Sequence, residues 1–134
     1  MMIGPSAPTR GAACILVVED NDQLRKAICE VLAETLPGIF ILEAGCCEDA
    51  SKFLLESLPD IILTDICLPG KNGLALAEEV KSKHPHIPVV IHTHYNMPEY
   101  REAAEAIGVD LFLVKGKVHL DRLSQLIGEF LTVP

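Results

Sequence analysis

The 134 residues are 49% hydrophobic and 22% charged, with a formal net charge of −8; this fits one compact domain of the usual roughly 100–200 residues and excludes a disordered chain. So acidic a chain, with no basic block, is a poor binder of nucleic-acid polyanions on its own. No apolar run reaches the ~18 residues of a spanning helix, so no membrane association is expected.

The chain opens on "MMIGPSAPTRGA", which lacks the apolar centre of a signal peptide. Residues 1–12 read as a flexible lead and 13–134 as the domain, cytoplasmic by default. "CILVV" (14–18) is short, β-branched and bounded, hence a strand. Over 22–36, Leu24, Ile28, Val31, Leu32 and Leu36 recur on one helix face, and Pro37-Gly38 stops the helix. "IFILE" (39–43) is the second strand, and 48–58 repeats the helical period through Ala50, Phe53, Leu54 and Leu58. "DIILTD" (60–65) is the third strand, 73–83 the third helix and "IPVVIH" (87–92) the fourth strand. The fourth helix spans 98–107, with Tyr100, Ala103, Ala104 and Ile107 inward and Gly108 as its end. "VDLFLV" (109–114) is the fifth strand and 119–131 the last helix. The five cysteines are odd in number and form no C-x-x-C, so they read as reduced thiols and small apolar fillers.

Five β-α units with strands apolar on both faces predict an α/β fold: a doubly wound, five-stranded parallel sheet with helices on both sides. Ligands of such sheets bind beyond the carboxyl ends of the strands. There the chain delivers Glu19 and Asp20 from the first strand, Asp65 from the third, Thr93 from the fourth and Lys115 from the fifth. Three clustered carboxylates repel one another, and a hard cation relieves the repulsion; Mg²⁺ takes oxygen ligands and keeps room for water and a phosphate oxygen. A carboxylate beside such a cation and a lysine is a plausible nucleophile for phosphorus.

This constellation resembles the receiver domain of two-component response regulators, of the chemotaxis-regulator type, over roughly residues 14–131. "LVVEDN", "LTDICLPGKNG", "IHTH" and "DLFLVKG" carry the likeness in order along the chain. The resemblance implies a flavodoxin-like sheet of order 2-1-3-4-5 with five helices, and that Asp65 accepts a phosphoryl group from a sensor histidine kinase or phosphotransfer protein. It implies Mg²⁺ on Asp20, Asp65 and the backbone carbonyl of Cys67, with Glu19 acting through a metal-bound water. It makes Thr93 the switch hydroxyl, Phe112 the switch aromatic and Lys115 the contact to the acyl phosphate. The output face is then helix four, strand five and helix five, used for a partner or a homodimer, with transcription through a separate DNA-binding domain as the expected output. On this reading the chain is not a turnover enzyme.

Four departures stand out. Phe112 lacks the hydroxyl of the family's frequent tyrosine. His94 stands where the family usually has alanine or glycine, and so bears on access to the site. Cys67 and Tyr95 sit where receivers tune hydrolysis of their phosphate. Gly116 replaces a common proline, so that glycine's freedom shapes the turn. His92 and His94 share one side of an extended segment but lack further ligands at zinc spacing. Two other functions compete: a receiver-like interaction module that is never phosphorylated, and a Mg²⁺-dependent phosphohydrolase. The hydrolases of similar chemistry place a second aspartate two residues after the nucleophile, where this chain has Cys67.

Overall fold

The structure is a computed structural model and describes residues 12–132. The expected flexible lead therefore lies outside the described residues, apart from Ala12. The elements alternate without exception: β1 Cys14–Val18, α1 Asp22–Thr35, β2 Phe40–Ala44, α2 Cys47–Glu56, β3 Ile61–Thr64, α3 Gly73–Lys83, β4 Val89–Thr93, α4 Pro98–Ile107, β5 Leu111–Val114 and α5 Leu120–Thr132. All pairings are parallel and the strand order is β2-β1-β3-β4-β5, as expected from the sequence.

The period-2 alternation of side chains sends neighbouring β1 residues to opposite cores. Cys14, Leu16 and Val18 pack with Ala50 of α2 and Leu76, Ala77 and Val80 of α3. Ile15 and Val17 pack with Ile28 and Leu32 of α1 and Leu123 and Ile127 of α5. A third cluster lies under α4, where Ile66, Ile91 and Ala104 meet Phe112, Tyr95 and Tyr100. Both faces of the central strands are thus closed, and the carboxyl-end rim is the natural place for polar groups.

Local chemistry sets the element ends. Asn21 caps α1 by accepting from the Leu24 N–H at 2.9 Å, and Asn72 caps α3 by accepting from Ala75 at the same distance. At α2 the acceptor is the thiol sulfur of Cys46, 3.5 Å from the Asp49 nitrogen. Several boundaries differ from the sequence reading by one or two residues. Helix α2 stops at Glu56 and Leu58 is 43% exposed rather than in the core, because a residue before proline, here Pro59, is disfavoured in helical conformation. Strand β2 starts at Phe40, whose N–H reaches the Ala13 carbonyl, while Ile39 closes the turn by bonding to Leu36. Strands β3 and β5 start one and two residues later than read. Asp60 and Asp110 precede them, and their carboxylates accept from the Cys14 and Val89 N–H groups at 2.7 and 2.8 Å. Asp110 is also bridged by Lys81 at 2.7 Å, which ties the end of α3 to β5.

Candidate functional site

The rim above β1 and β3 gathers Glu19, Asp20 and Asp65, with one carboxylate oxygen of each lying within 4.8 Å of the others. Glu19 and Asp65 are buried and Asp20 is exposed. Lys115, one residue beyond β5, is brought in by its own backbone: its N–H donates to the Thr93 carbonyl at 2.8 Å. Its ammonium then donates to Asp65 Oδ2 at 2.6 Å and lies 2.8 Å from Glu19 Oε1. The other oxygen of Asp65 accepts from the Ile66 and Cys67 N–H groups at 2.6 and 3.3 Å. Glu19 Oε2 accepts from the Asn21 N–H at 3.0 Å.

Burial pushes the Glu19 carboxyl above its ordinary value, with the Asp65 charge adding to it, against the opposing pull of Lys115 and the Asn21 N–H. At Lys115 burial works against the ammonium, yet the hydrogen bonds and charges of Asp65 and Glu19 outweigh it and hold its pKa above that of an ordinary lysine. The buried ammonium is therefore a fixed positive charge facing two carboxylates.

A cavity at this rim is lined by all the expected polar residues, Glu19, Asp20, Asp65, Thr93 and Lys115, together with Cys67, His94 and Tyr95. Thr93 is fully buried, and its Oγ1 accepts from the Tyr95 N–H at 3.2 Å. His94 is exposed at the mouth. The Tyr95 hydroxyl donates to Cys67 Sγ at 3.4 Å, linking the loops after β4 and β3 across the opening. The Tyr95 ring also lies 5.2 Å from that of Tyr100. Phe112 is half-buried beneath α4, and the Arg101 guanidinium sits 4.6 Å over its ring while donating to Asn96 at 2.7 Å. A cation–π contact thus meets the aromatic that has no hydroxyl. Gly116 has φ 84°, so the turn after Lys115 uses the left-handed region that glycine adopts freely.

Three contributors were not singled out from the sequence as site residues. Arg25 touches the backbone of the acidic loop. Gly73 packs directly on the Asp65 carbonyl. His92 is 4% exposed, and its Nδ1 has no hydrogen-bond partner. Among the described residues, the metal-ligating groups of three or more comprise only the acidic set, without His92 or His94.

Burial, followed by the charge of Lys115, pushes the His92 pKa down to about 4 from 6.5. The unfolded chain therefore takes up a proton below pH 6.5 that the folded chain refuses. Stability is fully present above 6.5 and falls as pH drops toward 4. From pH 7 to 4.5 this one group should cost about 2–3 kcal/mol. His92→Leu is expected to flatten that part of the curve, measured as the urea midpoint of both proteins at the two pH values. An equal acid loss in wild type and variant would remove His92 from the account.

Comparison with known proteins agrees with this geometry. The family model of the response regulator receiver domain matches residues 15–127. Response regulator GacA of Pseudomonas aeruginosa is 31% identical over 103 residues, covering 76% of this chain and 48% of that protein. The DNA-binding transcriptional regulator NtrC of Escherichia coli is 33% identical over 82 residues, 61% of this chain and 17% of that one. Among solved structures, a DNA-binding response regulator of the LuxR family from Staphylococcus aureus superposes with a TM-score of 0.81 at 28% identity, covering 88% of this chain and 98% of that chain. The chain spans about half or less of the length of the curated relatives named here. Since the matched residues take in β1 through most of α5, and with them every side chain of the rim cavity, the chain belongs to the response regulator receiver domain family.

Proposed function

We propose that the chain is a phosphorylatable switch in which Asp65 accepts the phosphoryl group. The observation that carries this reading is the meeting of three carboxylates within 4.8 Å with a buried ammonium on two of them. All three donors are carboxylate oxygens, and one of the three residues is exposed, which suits a hard cation that keeps part of its water. Asp20, Asp65 and the Cys67 backbone carbonyl would hold Mg²⁺, with Glu19 acting through a metal-bound water; when bound, the cation would neutralise charge on the transferring oxygens.

The chain's own residues do the rest. An Asp65 oxygen attacks phosphorus, the bond from phosphorus to the donor's leaving group breaks, and the leaving group departs with the electron pair. The backbone N–H groups of Ile66 and Cys67 keep the Asp65 carboxylate oriented. Lys115 lies beside Asp65 and can transfer its hydrogen bond to a phosphate oxygen. Thr93, held now by the Tyr95 N–H, is the hydroxyl that turns to the new phosphate. That turn releases the loop before α4, and the Phe112 ring beneath α4 follows. A local change of charge thus biases a two-state face of α4, β5 and α5.

The donor is a histidine kinase or phosphotransfer protein. The output is transcription through a DNA-binding region, a reading supported by NtrC, named a DNA-binding regulator and matched over only 17% of its length, and by the solved structure named a DNA-binding response regulator. Among the described residues no helix is long and apolar enough to cross a membrane.

The test is incubation with a small phosphodonor such as acetyl phosphate, followed by intact mass. We expect one added phosphoryl group in the presence of Mg²⁺ and none after chelation. A mass that never changes at saturating Mg²⁺ would favour the unphosphorylated interaction module, with His94 at the mouth as the obstruction. Repeated turnover of a phosphomonoester would favour the hydrolase.

A further inference from the structure

Glu19 is held from every side but Asp20 is not. The Glu19 N–H donates to the Ala44 carbonyl at 2.9 Å, and its side chain is held by the Asn21 N–H and Lys115. Among the described residues no hydrogen bond or ion pair holds the Asp20 carboxylate. Its direction toward Glu19 and Asp65 is inherited from the backbone alone.

That backbone is gripped by one side chain. Arg25 Nη1 donates to the Glu19 carbonyl at 2.6 Å, Nε to Glu43 Oε1 at 3.1 Å and Nη2 to Asp22 Oδ1 at 2.8 Å. The guanidinium side chain is only 18% exposed. The Glu19 carbonyl and the Asp20 N–H share one rigid peptide plane, so fixing the carbonyl fixes the plane from which Asp20 projects. The Arg25 N–H also donates to the Asn21 carbonyl at 2.9 Å, closing the far end of the same loop.

We propose that Arg25 is a positioning residue for the cation site: its planar fork, braced on β2 by Glu43 and on α1 by Asp22, sets the loop that aims Asp20 at the site. Lysine, a point charge without the fork, does not reproduce three directed bonds. The inference rests on the cation-site reading given above.

The test is calorimetric titration of the full chain with Mg²⁺ alone, for wild type, Arg25→Met, Arg25→Lys and Glu43→Gln. Partners that orient metal ligands typically contribute about 10–100-fold to metal affinity. Arg25→Met is expected to bind Mg²⁺ about tenfold more weakly and Arg25→Lys to fall between it and wild type. The rate of phosphorylation at saturating Mg²⁺ should stay within about twofold, because Asp65 and Lys115 are untouched. Glu43→Gln removes only the charge of the brace: its amide oxygen can still accept from Arg25 Nε and the bond to the Glu19 carbonyl is untouched, so its Mg²⁺ affinity should match wild type even where its thermal midpoint falls. Wild-type affinity in both Arg25 variants, or losses that merely track the thermal midpoint across all three variants, would overturn the proposal. A wild-type chain that binds no Mg²⁺ would overturn the cation site itself, a different result from an unchanged Arg25 series. Should Arg25→Met fail to fold, Arg25→Lys and Glu43→Gln decide.

Discussion

Asp65→Asn is expected to abolish phosphorylation, with a fall of at least about 10³-fold in the rate of phosphoryl gain from acetyl phosphate. Asparagine has the size of aspartate, and its amide oxygen can still accept from the Ile66 and Cys67 N–H groups. The fold should therefore persist. What disappears is the nucleophile, because a neutral amide does not attack phosphorus, and one of the three clustered carboxylates. The amide NH₂ would also face the Lys115 ammonium, a donor against a donor, leaving Lys115 with Glu19 as its anionic partner. Intact mass under the conditions used for wild type reads the outcome directly. A variant that still gains one phosphoryl group at the wild-type rate would place the acceptor elsewhere.

Gly73→Ala is expected to be the most damaging glycine-to-alanine substitution among the described residues, with a loss of at least about 3 kcal/mol. A Cβ at this position would lie 1.8 Å from the Asp65 carbonyl oxygen, 2.8 Å from its carbon and 3.1 Å from the Ile66 Cα. All three atoms are backbone, so no side chain can swing aside. Overpacking that rotamer changes relieve costs about 1–3 kcal/mol; here the peptide carrying Asp65 must move, and the Gly73 N–H bond to the Ile66 carbonyl at 2.8 Å goes with it. In a domain of this size that corresponds to a thermal midpoint lower by roughly 10 °C or more. Gly116→Ala is the contrasting case. Its φ is 84° but nothing lies within 4 Å of an added Cβ, so only the left-handed penalty of about 1–2 kcal/mol applies. Equal midpoints for the two variants would contradict the close approach at Gly73.

The residues that sequence reasoning brought together share a property. Glu19, Asp20, Asp65, Thr93 and Lys115 each stand at or just past the carboxyl end of a strand, and an all-parallel sheet sends every such end to the same rim. Their convergence followed from the shared direction of the strands, without knowledge of any contact. The β-α alternation was equally open to reading, because the apolar periods of 2 and 3.6 are local. Arg25 was not, since a lone arginine on an amphipathic helix looks solvated until the fold of β2 places Glu43 beside it. Gly73 escaped for a related reason: the distance from α3 to the Asp65 peptide is a packing quantity that no local pattern encodes. Leu58 misled because its helical spacing was counted before the proline after it. His92 sits in an apolar run, and the missing partner of its Nδ1 is a property of the closed core around it.

The tyrosine pair at the mouth has one more consequence. Tyr95 and Tyr100 are the two tyrosines of a chain with no tryptophan, and their rings are 5.2 Å apart at the start of α4. Near-ultraviolet emission excited in this protein therefore arises almost wholly from that spot, undiluted by any indole. The chain carries its own optical probe of the segment that the proposed switch moves.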